Sequence, residues 1–347
     1  MFEKNNFIVW ANDFSENSGE GRLARNFLFK IQEYYPNSIF KIKTFDQEFV
    51  FTKNKILTKK IINKNNFFYK YISLFYGIFY LWKYRSKKIV YLNYLPLWNF
   101  LIFLFLPSKT ILGPVTGGVN AKKPDSLENI FRVIFFPIFY RISLFIISIR
   151  FNKIIFSTNL LKKYSYTNKA NFFFGYVYSL FSKKIYISNP KKKFDLIFYN
   201  RNYKSKKNFL IKKIILHLPR EIKVCVIGDK LVGENLFNYG YVSHKKILKL
   251  ISKSKMAFGS SENALSLFVI DCYNSGIRLI FDRSTFLDDI ICKKNITIVN
   301  YRNYIDSSLI ITSALFNYKF KIDPAFNKLL RRKFFLLDKF LKNYFIS

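Results

Sequence analysis

The stretch FDLIFYNRNYKSKKNFLIKKIILHLPREIKVCVIG, residues 194–228, decides the fold of this chain. An apolar run from Phe194 to Tyr199 is followed by an amphipathic segment over 206–217 and a second apolar run over 222–227. Short runs rich in β-branched and aromatic residues read as strands buried on both faces. The pattern then continues with predicted helices at 244–253 and 264–274 and predicted strands at 255–259 and 277–281. Strand and helix alternating at this spacing predict a parallel sheet with helical crossovers.

Upstream, ISNPKKK (187–193) reads as a linker, and a second α/β pattern precedes it. Strands are predicted at 6–11, 39–44, 89–93, 110–112 and 152–157, and helices at 22–35, 66–83, 97–106 and 158–164. The chain therefore divides into an amino-terminal Rossmann-like domain over 1–187 and a carboxyl-terminal one over 188–322. A last helix over 323–347 is expected to pack back on the first domain. Asp323 and Pro324 suit its N-cap and first position, and Leu330, Phe334, Leu337, Leu341 and Tyr344 form an apolar stripe.

The chain has 347 residues, half of them hydrophobic (50%), so a sizeable core forms and disorder is excluded. Three separated Cys exclude a disulfide scaffold and a Cys-based zinc site, and two His exclude a histidine-rich metal centre. Lys and Arg number 58 against 21 Asp and Glu, a net charge of +37. Phe, Lys, Ile, Asn and Tyr all use A/T-rich codons, so compositional bias contributes to the lysine excess. The scarcity of acids still implies a surface that seeks anionic membrane or phosphate.

Two apolar stretches bear on the membrane. IVYLNYLPLWNFLIFLFLPS (89–108) is broken by Asn93, Pro96 and Asn99, and splits into a strand and a short helix. FRVIFFPIFYRISLFIISIR (131–150) carries Arg132, Arg141 and Arg150 nine positions apart, which puts neighbours on opposite sides of a helix. These read first as buried or membrane-surface helices, with monotopic insertion as the alternative and a true span least favoured. The amino terminus carries no signal-peptide pattern.

The residues that carry chemistry cluster in 194–276. Arg201 and Lys206 follow the first strand of that half, and KVCVIGDK ends its second strand on Gly228. GYVSHKK brings Val242 and His244 to a helix start, and ENALSLFVIDCYNSG holds Glu262, Asn263 and Asp271. In this order the four pieces resemble the nucleotide-sugar domain of GT-B glycosyltransferases, in particular the retaining group 1 enzymes of family 4 type, many of which build bacterial surface polysaccharides. The resemblance implies two Rossmann-like domains facing across a cleft.

On that resemblance, Arg201, Lys206 and Glu262 are the catalytic residues, with Gly228, Val242, His244, Asn263 and Asp271 binding the donor. Two bases neutralise a diphosphate and stabilise the charge that grows as it departs. Asp271 would accept the ribose hydroxyls and Glu262 those of the donor sugar. Three departures stand out. Eight residues rather than seven separate Glu262 from Asp271, so Asn263 occupies the regular position; Asn200 replaces a glycine; and Lys207 follows Lys206 where glycine is common.

In the amino-terminal half, NSGEGRLAR places Gly19, Gly21 and Arg22 in a glycine-rich loop between strand and helix, which by the resemblance, with Gly117 and Gly118, is an acceptor or phosphate loop; Arg22 reads equally as a phosphate contact and a plain helix-start residue. GPVTGG (113–118) reads as a turn with a flexible floor at Gly117 and Gly118, and it is similar to a loop of the polysaccharide-building members. No Asp-x-Asp pair is present to hold a metal, so transfer without metal or cofactor is expected, the UDP- or GDP-type sugar being a substrate.

The function implied is transfer of a sugar from a nucleoside-diphosphate sugar to a lipid-linked or saccharide acceptor, by an enzyme peripheral to the cytoplasmic face of the inner membrane and bound to its anionic surface. Nucleic acid is not expected as a partner, because the bases are dispersed and the aromatics sit in apolar helices. The competing readings are an inactive GT-B-like scaffold, kept open by the irregular acid spacing, and a basic nucleic-acid-binding protein.

Overall fold

A computed structural model describes residues 6–16, 18–52, 55–61, 69–93, 95–117, 127–152, 154–157, 159–165, 172–174, 191–201, 208–259, 266–285, 295–318, 336 and 338–342. The chain forms two compact units. The first holds 1–118, 125–181 and 333–347, and the second 119–124 and 182–332.

The first unit opens with β1 (Asn6–Trp10), α1 (Gly19–Tyr34) and β2 (Ile39–Lys43), then β3 (Gln47–Thr52) and β4 (Lys55–Ile61). After these come α2 (Tyr69–Lys83), β5 (Lys88–Tyr91), β6 (Leu95–Pro96), α3 (Phe100–Phe105), β7 (Ile111–Leu112) and β8 (Val115–Thr116). The unit continues with α4 (Leu127–Arg150), β9 (Ile154–Phe156), a 3-10 helix at Asn159–Tyr164 and β10 (Phe172–Phe174). Strands lie in the order β4-β3-β2-β1-β5-β7 in one sheet and β10-β9-β8-β6 in another. Hydrogen bonds from Gly113 to Tyr91 (2.6 Å) and from Leu95 to Pro114 (3.1 Å) carry the ladder from one sheet to the other. GPVTGG is thus not a plain turn, since β8 lies inside it.

The β3–β4 hairpin was not legible in the sequence. The chain turns back from β2 into β3 at Thr44, whose Oγ1 accepts from Gln47 N (2.9 Å) and donates to Asp46 Oδ1 (2.8 Å). The period-2 alternation of β1 and β5 feeds two cores. Phe7, Val9, Val90 and Leu92 pack with Phe27, Leu28 and Ile31 of α1, and Leu341 is buried among them. Ile8, Trp10, Ile89 and Tyr91 pack with buried residues of α2, α3 and α4.

The second unit runs β11 (Phe194–Asn200), α5 (Asn208–Leu216), β12 (Val224–Gly228), β13 (Leu236–Asn238), α6 (His244–Ser252), β14 (Ser254–Phe258), α7 (Leu267–Asn274), β15 (Arg278–Asp282), β16 (Ile296–Val299) and α8 (Tyr304–Phe316). All six strands are parallel, in the order β13-β12-β11-β14-β15-β16. Numbered within the unit, this is 3-2-1-4-5-6, the doubly wound Rossmann order. Helices α5 and α8 close over Leu196, Phe198, Val224, Val226, Met256 and Ile280. Helix α8, absent from the sequence reading, supplies Ile311 and Leu315 to that core.

Candidate active site

In an open parallel sheet, ligands gather beyond the carboxyl ends of the strands, where the strand order reverses. In the second unit the reversal lies between β11 and β14, and Arg201 follows directly on β11. Its guanidinium lies 4.5 Å from the centroid of the Tyr199 ring, and Nη2 donates to the Tyr199 hydroxyl. The Tyr199 ring in turn meets Phe268 of α7 at 5.6 Å. Among the described residues, buried Arg201 Nε and the neighbouring Asn200 Oδ1 find no hydrogen-bond partner. An unpaired buried polar atom costs about 1–3 kcal/mol, so two of them side by side mark this edge as built for polar contact.

Strand β12 ends beside β11 at Gly228, whose φ is +92°. A Cβ there would stand 2.1 Å from the Asn200 carbonyl oxygen, so only glycine fits. The turn is closed by Asp229 N to Asn200 O (3.0 Å) and by Asn200 Nδ2 to Asp229 O (2.8 Å). Asn200, which stands where the resembled family has glycine, is therefore a clamp between two strand ends. Beyond it, exposed Tyr241 donates to Asp229 Oδ1 (2.7 Å), a bond that raises the phenol's pKa.

His244 is the first residue of α6, and half-buried Val242 precedes it by two. His244 Nε2 lies 2.8 Å from Oδ2 of Asp271 on α7, which ties the two helices together at this edge. Helix α7 begins at Leu267, later than the sequence suggested, and Ser266 caps it by accepting from Val269 N. Arg201, Gly228, His244 and Asp271 all belong to the second unit, either ending strands or lying on helices that start at the same edge. Lys206, Glu262 and Asn263 lie outside the described residues.

The glycines of the first unit behave differently from their sequence reading. Gly19 and Gly21 do not sit in a loop. They form the first turn of α1, capped by Ser18 Oγ accepting from Gly21 N (2.8 Å). A Cβ on Gly21 would meet Ser15 O at 2.2 Å, so the β1–α1 connection lies directly on the helix start. Arg22 N donates to Ser18 O (3.2 Å) within that turn. Gly117 is not a flexible floor, because a Cβ there would strike Leu161 at 2.5 Å and touch Tyr140. Gly118 lies outside the described residues.

The carboxyl edge of the first unit is organised by residues the sequence did not single out. Buried Asn93 accepts from Asn12 N (2.7 Å) and donates to Asp13 O (2.9 Å), joining the ends of β1 and β5. Asn12 Nδ2 donates to Tyr91 OH (2.7 Å) and its Oδ1 accepts from Trp10 Nε1 (2.8 Å). The available signal was Asn immediately after an apolar strand, twice. Among the described residues, no group of three or more His, Cys, Asp and Glu converges to hold a metal. Burial pushes the Cys225 thiol up to about 12 and Cys272 well up too, which leaves both unreactive.

No family model matches the sequence, and no curated protein matches it either. Solved structures do. HepE of Anabaena, crystallised in complex with UDP-glucose, matches with a TM-score of 0.60 at 10% identity, over 98% of this chain and 99% of that one. The fold is GT-B. TarM matches at 0.57 with 12% identity, over 99% of this chain and 98% of TarM. WaaB, a lipopolysaccharide outer core galactosyltransferase, matches at 0.54 with 11% identity over 98% of each chain. At such identities the likeness is one of architecture, and both units take part in it. A GT-B fold agrees with the doubly wound second unit and with polar groups collected at its β11–β14 edge.

Proposed function

We propose that this chain is a glycosyltransferase whose second unit binds a nucleoside-diphosphate sugar at the carboxyl edge of β11 and β14. The sugar passes to a lipid-linked or saccharide acceptor in bacterial surface polysaccharide synthesis. One observation carries the reading: Arg201, with its buried unpaired Nε, and the His244–Asp271 pair stand at the reversal point of a 3-2-1-4-5-6 sheet. HepE was solved with UDP-glucose, which makes UDP the first nucleotide to test.

In this mechanism the guanidinium of Arg201 leaves Tyr199 and pairs with the diphosphate. The bond from the sugar's anomeric carbon to the phosphate oxygen breaks, and its electron pair goes to the diphosphate. Arg201, assisted by Lys206, stabilises that charge as it grows. The acceptor oxygen attacks from the face the diphosphate vacates and gives its proton to the departing phosphate, so configuration is retained and no metal is required. Asp271 offers Oδ1 to the ribose hydroxyls while His244 holds Oδ2. Glu262 or Asn263 contacts the donor sugar. The enzyme works at the cytoplasmic face of the inner membrane.

A thermal-shift screen of UDP-, GDP- and ADP-sugars tests donor binding. One nucleotide class at about a hundred times its Kd should raise the midpoint by about 5–10 °C. A chain unmoved by all three is a scaffold or a nucleic-acid binder, and the proposal fails.

A further inference from the structure

The helices of the first unit leave a wide apolar surface uncovered. On α4, Phe131, Ile134, Phe135, Ile138, Ile142, Phe145 and Ile149 are all exposed, with Ile138 at 51% and Phe145 and Ile149 at 67%. At about 100° per residue these positions fall within one stripe about 100° wide. The opposite side of the same helix is buried. Tyr140, Leu144 and Ile147 enter the core, and Ser143 Oγ donates to Leu97 O (2.5 Å). A helix held to protein along its length cannot cross a bilayer alone, although Val133–Arg150 has the length and apolarity to do so.

The stripe continues onto its neighbours. Helix α3 packs against both α4 and α2, and exposes Leu101, Leu104 and Phe105. Helix α2 exposes Phe75, Phe79 (73%) and Trp82 at helical spacing, and Trp82 Nε1 donates to Phe105 O (2.6 Å). Exposed Trp98 stacks on Phe136 of α4. Scattered exposed apolar residues are ordinary, but three adjoining helices presenting them together are not.

The charge around this face is predominantly basic. Residues 49–124 contain no Asp or Glu at all. Where α2 and α3 end, Lys83, Arg85, Lys87, Lys88 and Lys109 are exposed, and the Arg85 guanidinium lies 5.5 Å from the Trp82 ring centroid. Arg141 is exposed at one margin of the α4 stripe, and Arg150 leaves from the other margin to bond the carbonyls of Phe103 and Leu106. Two copies of the chain meeting through this face would oppose like charges. An anionic lipid surface complements it, with tryptophans at headgroup depth and apolar side chains beneath.

We infer that the α2–α3–α4 face is a monotopic membrane-docking surface. Helix α4 lies in the plane of the leaflet with its Phe131–Ile149 stripe in the acyl region, and the basic cluster at the ends of α2 and α3 engages anionic headgroups. This deepens the membrane part of the function proposed above, and it puts an acceptor carried on a lipid within the enzyme's plane.

Co-sedimentation of the full chain with vesicles tests it, with no donor present. Vesicles of phosphatidylcholine mixed with phosphatidylglycerol should retain the protein, and phosphatidylcholine alone should retain about tenfold less. Brominated acyl chains should quench Trp82 and Trp98 while buried Trp10 stays bright. The pair I138E and F145E should lower binding about tenfold or more without moving the thermal midpoint or its donor response, because neither side chain enters the core. A triple charge reversal at Lys83, Arg85 and Lys87 should erase the preference for phosphatidylglycerol. Wild-type protein left in the supernatant, or retention unchanged in the I138E/F145E pair, overturns the inference. So does a dimer that the pair dissociates in the absence of lipid. Donor binding is read separately, so either proposal can fail while the other stands.

Discussion

The two units share an α/β plan and use their surfaces in opposite ways. The second unit buries its strands and keeps two buried polar atoms, Asn200 Oδ1 and Arg201 Nε, without a partner among the described residues at the β11–β14 edge. The corresponding edge of the first unit is internally satisfied, with Asn93 bonded to Asn12 and Asp13. What the first unit leaves unsatisfied is apolar, the face of α2, α3 and α4. Polar incompleteness suits the proposed nucleotide-sugar donor and apolar incompleteness the proposed membrane contact, so the two proposals rest on different units.

Substitutions that act on one unit alone should separate these roles. The largest effect is expected from Gly228→Val. Its side chain would collide with the Asn200 carbonyl at a positive φ, and the cost should reach several kcal/mol. Limited proteolysis should then cut the second unit first. Intact, resistant protein would show that the clamp between β11 and β12 is less tight than its geometry.

His244→Phe is milder. It strips the partner from Asp271 Oδ2 without cutting into the core, so donor affinity should fall about tenfold while vesicle binding stays unchanged. Unchanged donor affinity would remove His244 and Asp271 from the site.

The smallest effect concerns Lys30 of α1. Burial opposes its charge, but hydrogen bonds to Glu33 and Asp338 outweigh it and raise the pKa. A raised lysine pKa stabilises the fold fully below the ordinary lysine range, and that contribution disappears as pH climbs through the raised value. Asp338→Asn should therefore cost about 0.5–1 kcal/mol at neutral pH, with the gap closing only in alkali. A gap that persists in strong alkali would mean that the segment around Asp338 is held by Leu341 and Phe340 instead.

The second unit was the more legible of the two because its strands are buried on both faces and so appear as unbroken apolar runs. FDLIFYN and VCVIG announce themselves. The β3–β4 hairpin does not, since Gln47–Ile61 mixes Lys and Thr with its apolar residues and pairs antiparallel at a sheet edge. Helix α8 was missed because Ser and Thr interrupt an otherwise apolar segment that lacks a clear stripe. Of the candidate residues that the sequence singled out, Arg201 and Gly228 lie at the ends of β11 and β12, and His244 and Asp271 on α6 and α7, which start from the same edge. The His244–Asp271 contact spans 27 positions, and the Asn200–Asp229 clamp joins two strands, so neither could be read from local spacing. The glycines at 19, 21 and 117 misled because glycine marks close packing as readily as a loop.

Isothermal titration of UDP-sugars into wild-type protein and Arg201→Ala addresses the central claim most directly. The account predicts saturable binding by the wild type and a loss of about a hundredfold in the variant, whose fold and vesicle binding remain intact. Equal affinity in both proteins, or no heat from any nucleotide sugar with the wild type, would contradict it.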